Sequence, residues 1–255
     1  MQSFRVAQML EMGAAGAVPW NPGLPKNPAC VALYRLEKNS AFLLDTKANV
    51  NHLTQGAAAI VSQTAYVRER KGAGQSNGST QYAYRNDGDL SADFPGKAGT
   101  TNYQVSCILW MRPTSLPSAG NFRCVCGKGL IYNDYSWAVG HRNNGGMHRI
   151  YAMGSVTGAA QMTWDNDQMS PVANRWYHVG FSYDSPARAA RVLVYDLTAD
   201  TEYDKTFAGV TLGNLYQGAG PFTVGKADSV YNSWFAGQFD EVAVFNGIVS
   251  AADMR

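Results

Sequence analysis

From Val31 onward the apolar positions recur at every second residue, the period of a strand with one buried face. Residues 31–37 alternate in this way. Residues 104–111 are almost continuously apolar and β-rich, as expected of a strand covered on both sides. Tyr135, Trp137, Val139 and His141 alternate with Ser136, Ala138 and Gly140, and Tyr177, Val179, Phe181 and Tyr183 alternate with His178, Gly180 and Ser182. Leu193, Tyr195 and Leu197 continue the pattern, and residues 238–245 form a further β-rich stretch. Turn signals fall between these runs: Asn86-Asp-Gly88, Asn143-Asn-Gly-Gly146, Asp184-Ser-Pro186 and Gly218-Ala-Gly-Pro221. No helix-length pattern separates the strands, which argues against a parallel α/β sheet. The expected fold class is all-β, a two-sheet antiparallel jelly-roll sandwich.

The first 30 residues read differently. Ser3 is placed to cap a short helix with Val6, Met9 and Leu10 on one face, ended by Gly13. Pro19, Pro22, Pro25 and Pro28 then recur every three residues. Each proline fixes φ and biases its predecessor towards extended geometry, so residues 18–28 read as a semi-rigid arm. The expected organisation is a helix and proline-rich arm over 1–30, then a jelly-roll domain over 31–255. The arm either reaches a neighbouring molecule or folds back on its own domain.

Composition narrows the function classes. The chain has 255 residues, 45% of them hydrophobic and 12% aromatic, enough to offset the entropy of ordering a core. Gly 26 and Pro 10 beside only 16% charged residues suit many short strands joined by turns. The net charge is +2 and no basic stripe stands out, so no nucleic-acid partner is expected. No uncharged apolar run approaches the roughly 20 residues that cross a bilayer, so membrane insertion is not expected either. Residues 1–18 are expected not to be a signal peptide, because Glu11 interrupts the small apolar run and Arg5 is the one early cation. Cys30, Cys107, Cys124 and Cys126 show no zinc or redox spacing and read as free, partly buried thiols kept under reducing conditions.

Five blocks in order carry a resemblance. They are Gly72-Ala-Gly-Gln-Ser-Asn-Gly-Ser-Thr-Gln-Tyr82, Cys107-Ile-Leu-Trp110-Met-Arg-Pro113, Asn174-Arg-Trp176-Tyr-His178-Val-Gly-Phe-Ser-Tyr183-Asp184, Pro221-Phe-Thr-Val-Gly225 and Phe235-Ala-Gly237-Gln-Phe-Asp240-Glu241-Val-Ala-Val-Phe-Asn246. Together they resemble the laminin-G-like group of concanavalin A-like lectin/glucanase jelly rolls, over residues 31–254. The sequence departs from that pattern at Val194-Tyr-Asp-Leu-Thr198, where the group has a Tyr-Val-Asp-Gly hairpin. The resemblance implies one structural calcium held by Asp240 together with backbone carbonyls from early strands; the alternative for Asp240 is hydrogen bonding to local backbone amides. Alternation sets Asp240 and Glu241 on opposite faces of a regular strand. Several of these residues, and the segment after the last block, also have readings independent of the resemblance. Trp110 and Trp176 read as core plugs, Gly237 as a close backbone approach, and Ser250-Ala-Ala-Asp253 as a capping box with Asp in place of Glu.

Glycoside hydrolysis needs two carboxylates roughly 5–9.5 Å apart. The resembled glucanases carry Glu-x-Asp-x-x-Glu, but the five Glu residues here, at 11, 37, 69, 202 and 241, have no second Glu within five positions. Asp165 and Asp167 are the remaining pair, in what reads as a polar turn. Saccharide binding needs flat aromatic faces beside amides and carboxylates. The carbohydrate-binding candidates are Tyr135, Trp137, His141, Trp164 and Trp234, with Tyr132 and Tyr231 nearby in sequence. The large side chains of residues 135–141 face either outward as a platform or inward as core. The chain is therefore expected to be no enzyme but a lectin-like recognition module with carbohydrate as partner. The alternative is a structural component of a larger assembly, such as a phage virion surface, decoration or tail protein, which would also make it virion-associated. In that case a protein neighbour is the partner, and residues 1–30 mediate homo-oligomer or assembly contacts. A glycoside hydrolase acting through Asp165 and Asp167 is the third option.

Overall fold

The structure is a computed structural model that describes residues 26–36, 43–47, 50–63, 72–100, 103–130, 134–159, 161–210, 213–226 and 233–254. Most of the expected helix and proline-rich arm lies outside the described residues, as do Tyr132 and Tyr231. Fifteen strands are described: β1 (Cys30–Tyr34), β2 (Thr54–Gln55), β3 (Val61–Gln63), β4 (Ala73–Asn77), β5 (Ala83–Arg85), β6 (Gln104–Pro113), β7 (Phe122–Leu130), β8 (Asp134–Asn144), β9 (Met147–Ser155), β10 (Gln161–Asn166), β11 (Tyr177–Asp184), β12 (Ala189–Asp196), β13 (Thr201–Ala208), β14 (Phe222–Val224) and β15 (Ala236–Phe245).

They form two sheets in which every strand pairing is antiparallel. The first runs β13-β12-β11-β6-β15-β4-β3, with β1 also on β15; the second runs β10-β9-β8-β7-β14-β5-β2. This is the expected jelly-roll sandwich. No described helix is long and apolar enough to cross a membrane.

The main core lies between the sheets and follows the period-two sets. Leu109 and Met111 of β6, Tyr177, Val179 and Phe181 of β11 and Phe239 of β15 meet Val125, Trp137, Val139 and Phe222 from the other sheet. Trp164 of β10 stacks across the gap on Phe181 and Tyr183, with ring centroids 5.8 and 5.4 Å away. Trp137 donates its indole N–H to Pro95 O at 3.0 Å, so its one polar atom is satisfied inside the core.

Bulges break the alternation at three places that matter for function. On β7, Cys124 opposes Gly140 and Cys126 opposes Val139, so Val125 is the extra residue. On β8, Lys128 opposes Trp137 and Gly129 opposes Tyr135, leaving Ser136 extra. Gly129 permits this with φ 97°, and a Cβ there would stand 1.9 Å from Asp134 O. On β15 the register shifts between Asp240 and Ala243, with Glu241 at φ 49°.

The face of the first sheet turned away from the core is divided. Ile108, Leu193, Ala243 and Phe245 on one part are buried against Val249 and Met254 of the C-terminal turn. Ser106 Oγ donates to Gly247 O at 2.9 Å and accepts from Val249 N at 3.0 Å, fixing that turn. The turn shows the expected Ser–Asp pairing: Asp253 N donates to Ser250 Oγ at 3.2 Å, and Ser250 Oγ donates to Asp253 Oδ2 at 2.7 Å. The other part of the same face carries the polar and aromatic groups described next.

Candidate functional site

Trp110 and Trp176 do pack, but not as plugs between the sheets. They cluster with Ala73 and Tyr195 apart from the main core, while the neighbours Leu109, Met111 and Tyr177 belong to it. Alternation therefore puts Trp110 on the outer face. His178, its cross-strand partner, lies against it with ring centroids 4.8 Å apart.

Two residues along, the same alternation puts Arg112 and Gln238 on this face. Register does the rest: Gln75 of β4 opposes Gln238 of β15, which opposes Arg112 of β6. A row of side chains results. Arg112 Nη1 donates to Gln238 Oε1 at 3.2 Å, Gln238 Nε2 donates to Gln75 Oε1 at 3.5 Å, and Gln63 Nε2 donates to the same oxygen at 3.2 Å. Arg112 Nε donates to Asn174 O at 3.2 Å, a carbonyl presented by a residue at φ 66°. With Thr114, these five residues line an open depression of about 460 Å³. Its described lining residues supply one cation, four carboxamides and one hydroxyl, and none of them is a carboxylate. Such groups can donate to and accept from a ligand rich in hydroxyls, in pairs whose geometry the sheet fixes.

The carbohydrate candidates read from the sequence do not come together here. Trp137 and Trp164 lie in the inter-sheet core at 0% and 3% exposure. Tyr135, turned to the opposite face by the Ser136 bulge, is fully buried with Cys124, Ala138, Tyr151 and Met153. His141 is fully buried edge-on to Phe235, and among the described residues neither ring nitrogen has a hydrogen-bond partner. A buried ring offers no face to a sugar, so the outward-platform alternative for residues 135–141 is not the one the fold adopts. Trp234 alone is half-buried. It meets Tyr82 edge-on at 5.5 Å, and Lys226 Nζ stands 3.6 Å from the Tyr82 centroid and 5.0 Å from that of Trp234.

Asp165 and Asp167 are held apart by different cations. Asp165 lies within β10 rather than in a turn, and takes a two-pronged bond from Arg142 Nε and Nη2. Asp167 accepts from Lys205 Nζ at 2.6 Å, which holds its carboxyl below the usual range. The Lys205 contact favours the ionised form of Asp167, the opposite of what a general acid needs.

Asp240 is buried at 4% exposure, two residues from Gln238 on the same strand, and accepts Glu241 N at 2.8 Å. This contact is the local backbone alternative for Asp240. Glu241, in the left-handed region beyond the bulge, is not on the regular strand from which opposite faces were expected. Among the described residues no three His, Cys, Asp or Glu side chains converge to hold a metal ion.

The family model for the concanavalin A-like lectin/glucanases superfamily, of laminin-G type, matches residues 77–255. The chain belongs to this superfamily. Solved structures share its fold. The binding domain of botulinum neurotoxin DC, in complex with SialylT, is 12% identical at a TM-score of 0.58, covering 89% of this chain and 50% of that one. The enzymatically active domain of bacteriophage CBA120 tailspike protein 2 is 12% identical at 0.54, covering 79% and 29%. A Trypanosoma rangeli sialidase mutant displaying trans-sialidase activity is 15% identical at 0.55, covering 100% and 37%. The chain thus spans half or less of the length of these three. No curated protein sequence matches it. At such identities the likeness shows the fold alone, and function on this fold is argued from the site.

No local sequence signal marks the depression, although its parts lie in recognisable segments. Gln75, Arg112 and Gln238 each lie inside one of the blocks that carried the family resemblance, but only register places them side by side.

Proposed function

We propose that this superfamily member is a non-catalytic carbohydrate-recognition module whose ligand rests on the Gln75–Gln238–Arg112 row. One observation carries the reading: polar side chains from three strands, Gln75, Gln238 and Arg112, are aligned by register at the floor of an open depression. Strand side chains mutually bonded in a row are held in place before a ligand arrives, which lowers the ordering cost of binding. That none of the described lining residues is a carboxylate favours recognition over glycosidic cleavage.

Calorimetric titration of the full chain against a glycan panel is expected to show binding at millimolar affinity or better. Arg112→Ala and Gln75→Ala are each expected to weaken it about 5–100-fold, the effect of removing a hydrogen-bonding group facing a polar ligand. The thermal midpoint of each variant distinguishes lost binding from lost folding. No glycan binding, or variants that fold and bind like the parent, would overturn the reading.

A second reading, a jelly roll serving as scaffold in a larger assembly such as a virion, is supported by the three-residue proline period of residues 19–28. Light scattering on the full chain and on a chain lacking residues 1–28 is the check. A concentration-dependent oligomer lost on truncation is expected, and a monomer in both cases removes this reading.

A further inference from the structure

Two of the four thiols face each other across the sandwich. Cys107 sits on β6 in the middle of the first sheet, Cys126 on β7 in the second, and their sulfurs are 3.5 Å apart in the fully buried inter-sheet core. The β7 bulge creates this facing. Without the extra Val125, Cys124 and Cys126 would share one face; with it, Val125 and Cys126 join the core while Cys124 turns away to Tyr151 Oη at 3.0 Å. Cys30 Sγ is engaged with Ala32 O at 3.6 Å. The fold thus selects one pair out of four free cysteines.

We propose that Cys107 and Cys126 form a disulfide under oxidising conditions, stapling the two sheets together. A disulfide needs its sulfurs about 2.05 Å apart, so each has to move by less than about 1 Å. Both side chains come from central strands whose neighbours are fixed on each side. The thiol of Cys126 is pushed well above its ordinary range by burial and by the neighbouring Cys107. Because the thiolate is the attacking species, the bond closes during folding, before the sheets exclude water. With glutathione disulfide as oxidant, one cysteine thiolate attacks a glutathione sulfur and releases one glutathione thiolate. The second cysteine thiolate then displaces the other glutathione. The two protein thiols lose two hydrogens overall, and two electrons pass to the oxidant, which leaves as two molecules of reduced glutathione.

The full chain is unfolded in denaturant and refolded across a series of reduced-to-oxidised glutathione ratios. Titratable thiols in the redenatured product are expected to fall from four to two towards the oxidising end. Peptide mapping is expected to join Cys107 to Cys126. The 19-residue separation implies that the oxidised form melts about 5–10 °C higher than the reduced one. The Cys107→Ala/Cys126→Ala variant is expected to fold and to show no redox-dependent melting. Four titratable thiols at every ratio, a cross-link through Cys30 or Cys124, or an oxidised form that melts no higher would each overturn the proposal.

Discussion

Lys128→Met is expected to destabilise the protein by about 3–5 kcal/mol, the usual cost of removing one member of a buried, hydrogen-bonded charge pair. The Lys128 side chain has no solvent exposure, and its ammonium meets Asp87 Oδ1 at 2.8 Å, Gly218 O at 2.7 Å and Gly220 O. Burial lowers its pKa and the Asp87 carboxylate opposes that drop, so the charge is kept by its partners. Those partners come from two segments outside the regular ladders, the 3-10 turn Asp87–Asp89 and the loop before β14. The lysine therefore fastens both to the end of the second sheet. Methionine keeps the aliphatic stem but leaves two carbonyls and one carboxylate without their donor. For a chain of this size the loss corresponds to a melting drop of roughly 6–20 °C. Asp87→Asn, which preserves an acceptor, is expected to cost less. Thermal denaturation of both single variants and the double variant measures the coupling, and a Lys128→Met protein that melts within a degree or two of the parent would show that the ammonium is dispensable.

Why Lys128 escaped a reading of the sequence while the sandwich did not is a matter of range. Period-two alternation is local, so the strands around Trp110, Phe181 and Leu193 and the antiparallel class are visible in a few residues each. Register and bulges are set by partners far along the chain. Alternation on β8 gave Tyr135 and Trp137 one shared face, but the extra Ser136 separates them, and the reason lies at Gly129 on the neighbouring strand. The same holds for Asp240, where the left-handed Glu241 replaces the regular strand on which the two-face argument rested. Trp110 and Trp176 were legible as packing residues, whereas which side of the sheet they pack on depends on Leu109 and Met111 reaching the core first. Gln75, Gln238 and Arg112 carry no distinguishing signal one at a time, since a polar residue in a strand is the ordinary outward position. Their chemistry exists only as a row.

Acid stability is expected to hinge on His141. Its ring is fully buried, faces Arg123 across the β7–β8 pair and has His148 on the hairpin beyond it. Burial first, and then the charges of Arg123 and His148, lower its pKa from 6.5 to about 3. The ring is thus neutral in the fold at pH values where it is protonated in the unfolded chain. Between about pH 6.5 and 3 the unfolded chain binds the extra proton, so stability is fully present above 6.5 and falls as pH drops through that window. At pH 4.5 the loss relative to pH 7.5 from this one group amounts to about 3 kcal/mol. His141→Leu removes the titration together with two ring nitrogens that have no hydrogen-bond partner among the described residues, a buried arrangement that is itself costly. The variant is expected to be as stable as the parent or more so at pH 7.5, and to keep about 3 kcal/mol more of that stability at pH 4.5. Urea unfolding at the two pH values makes the comparison, and carboxylates titrating in both proteins cancel in the difference. Parallel losses in parent and variant would mean that His141 takes up its proton inside the fold.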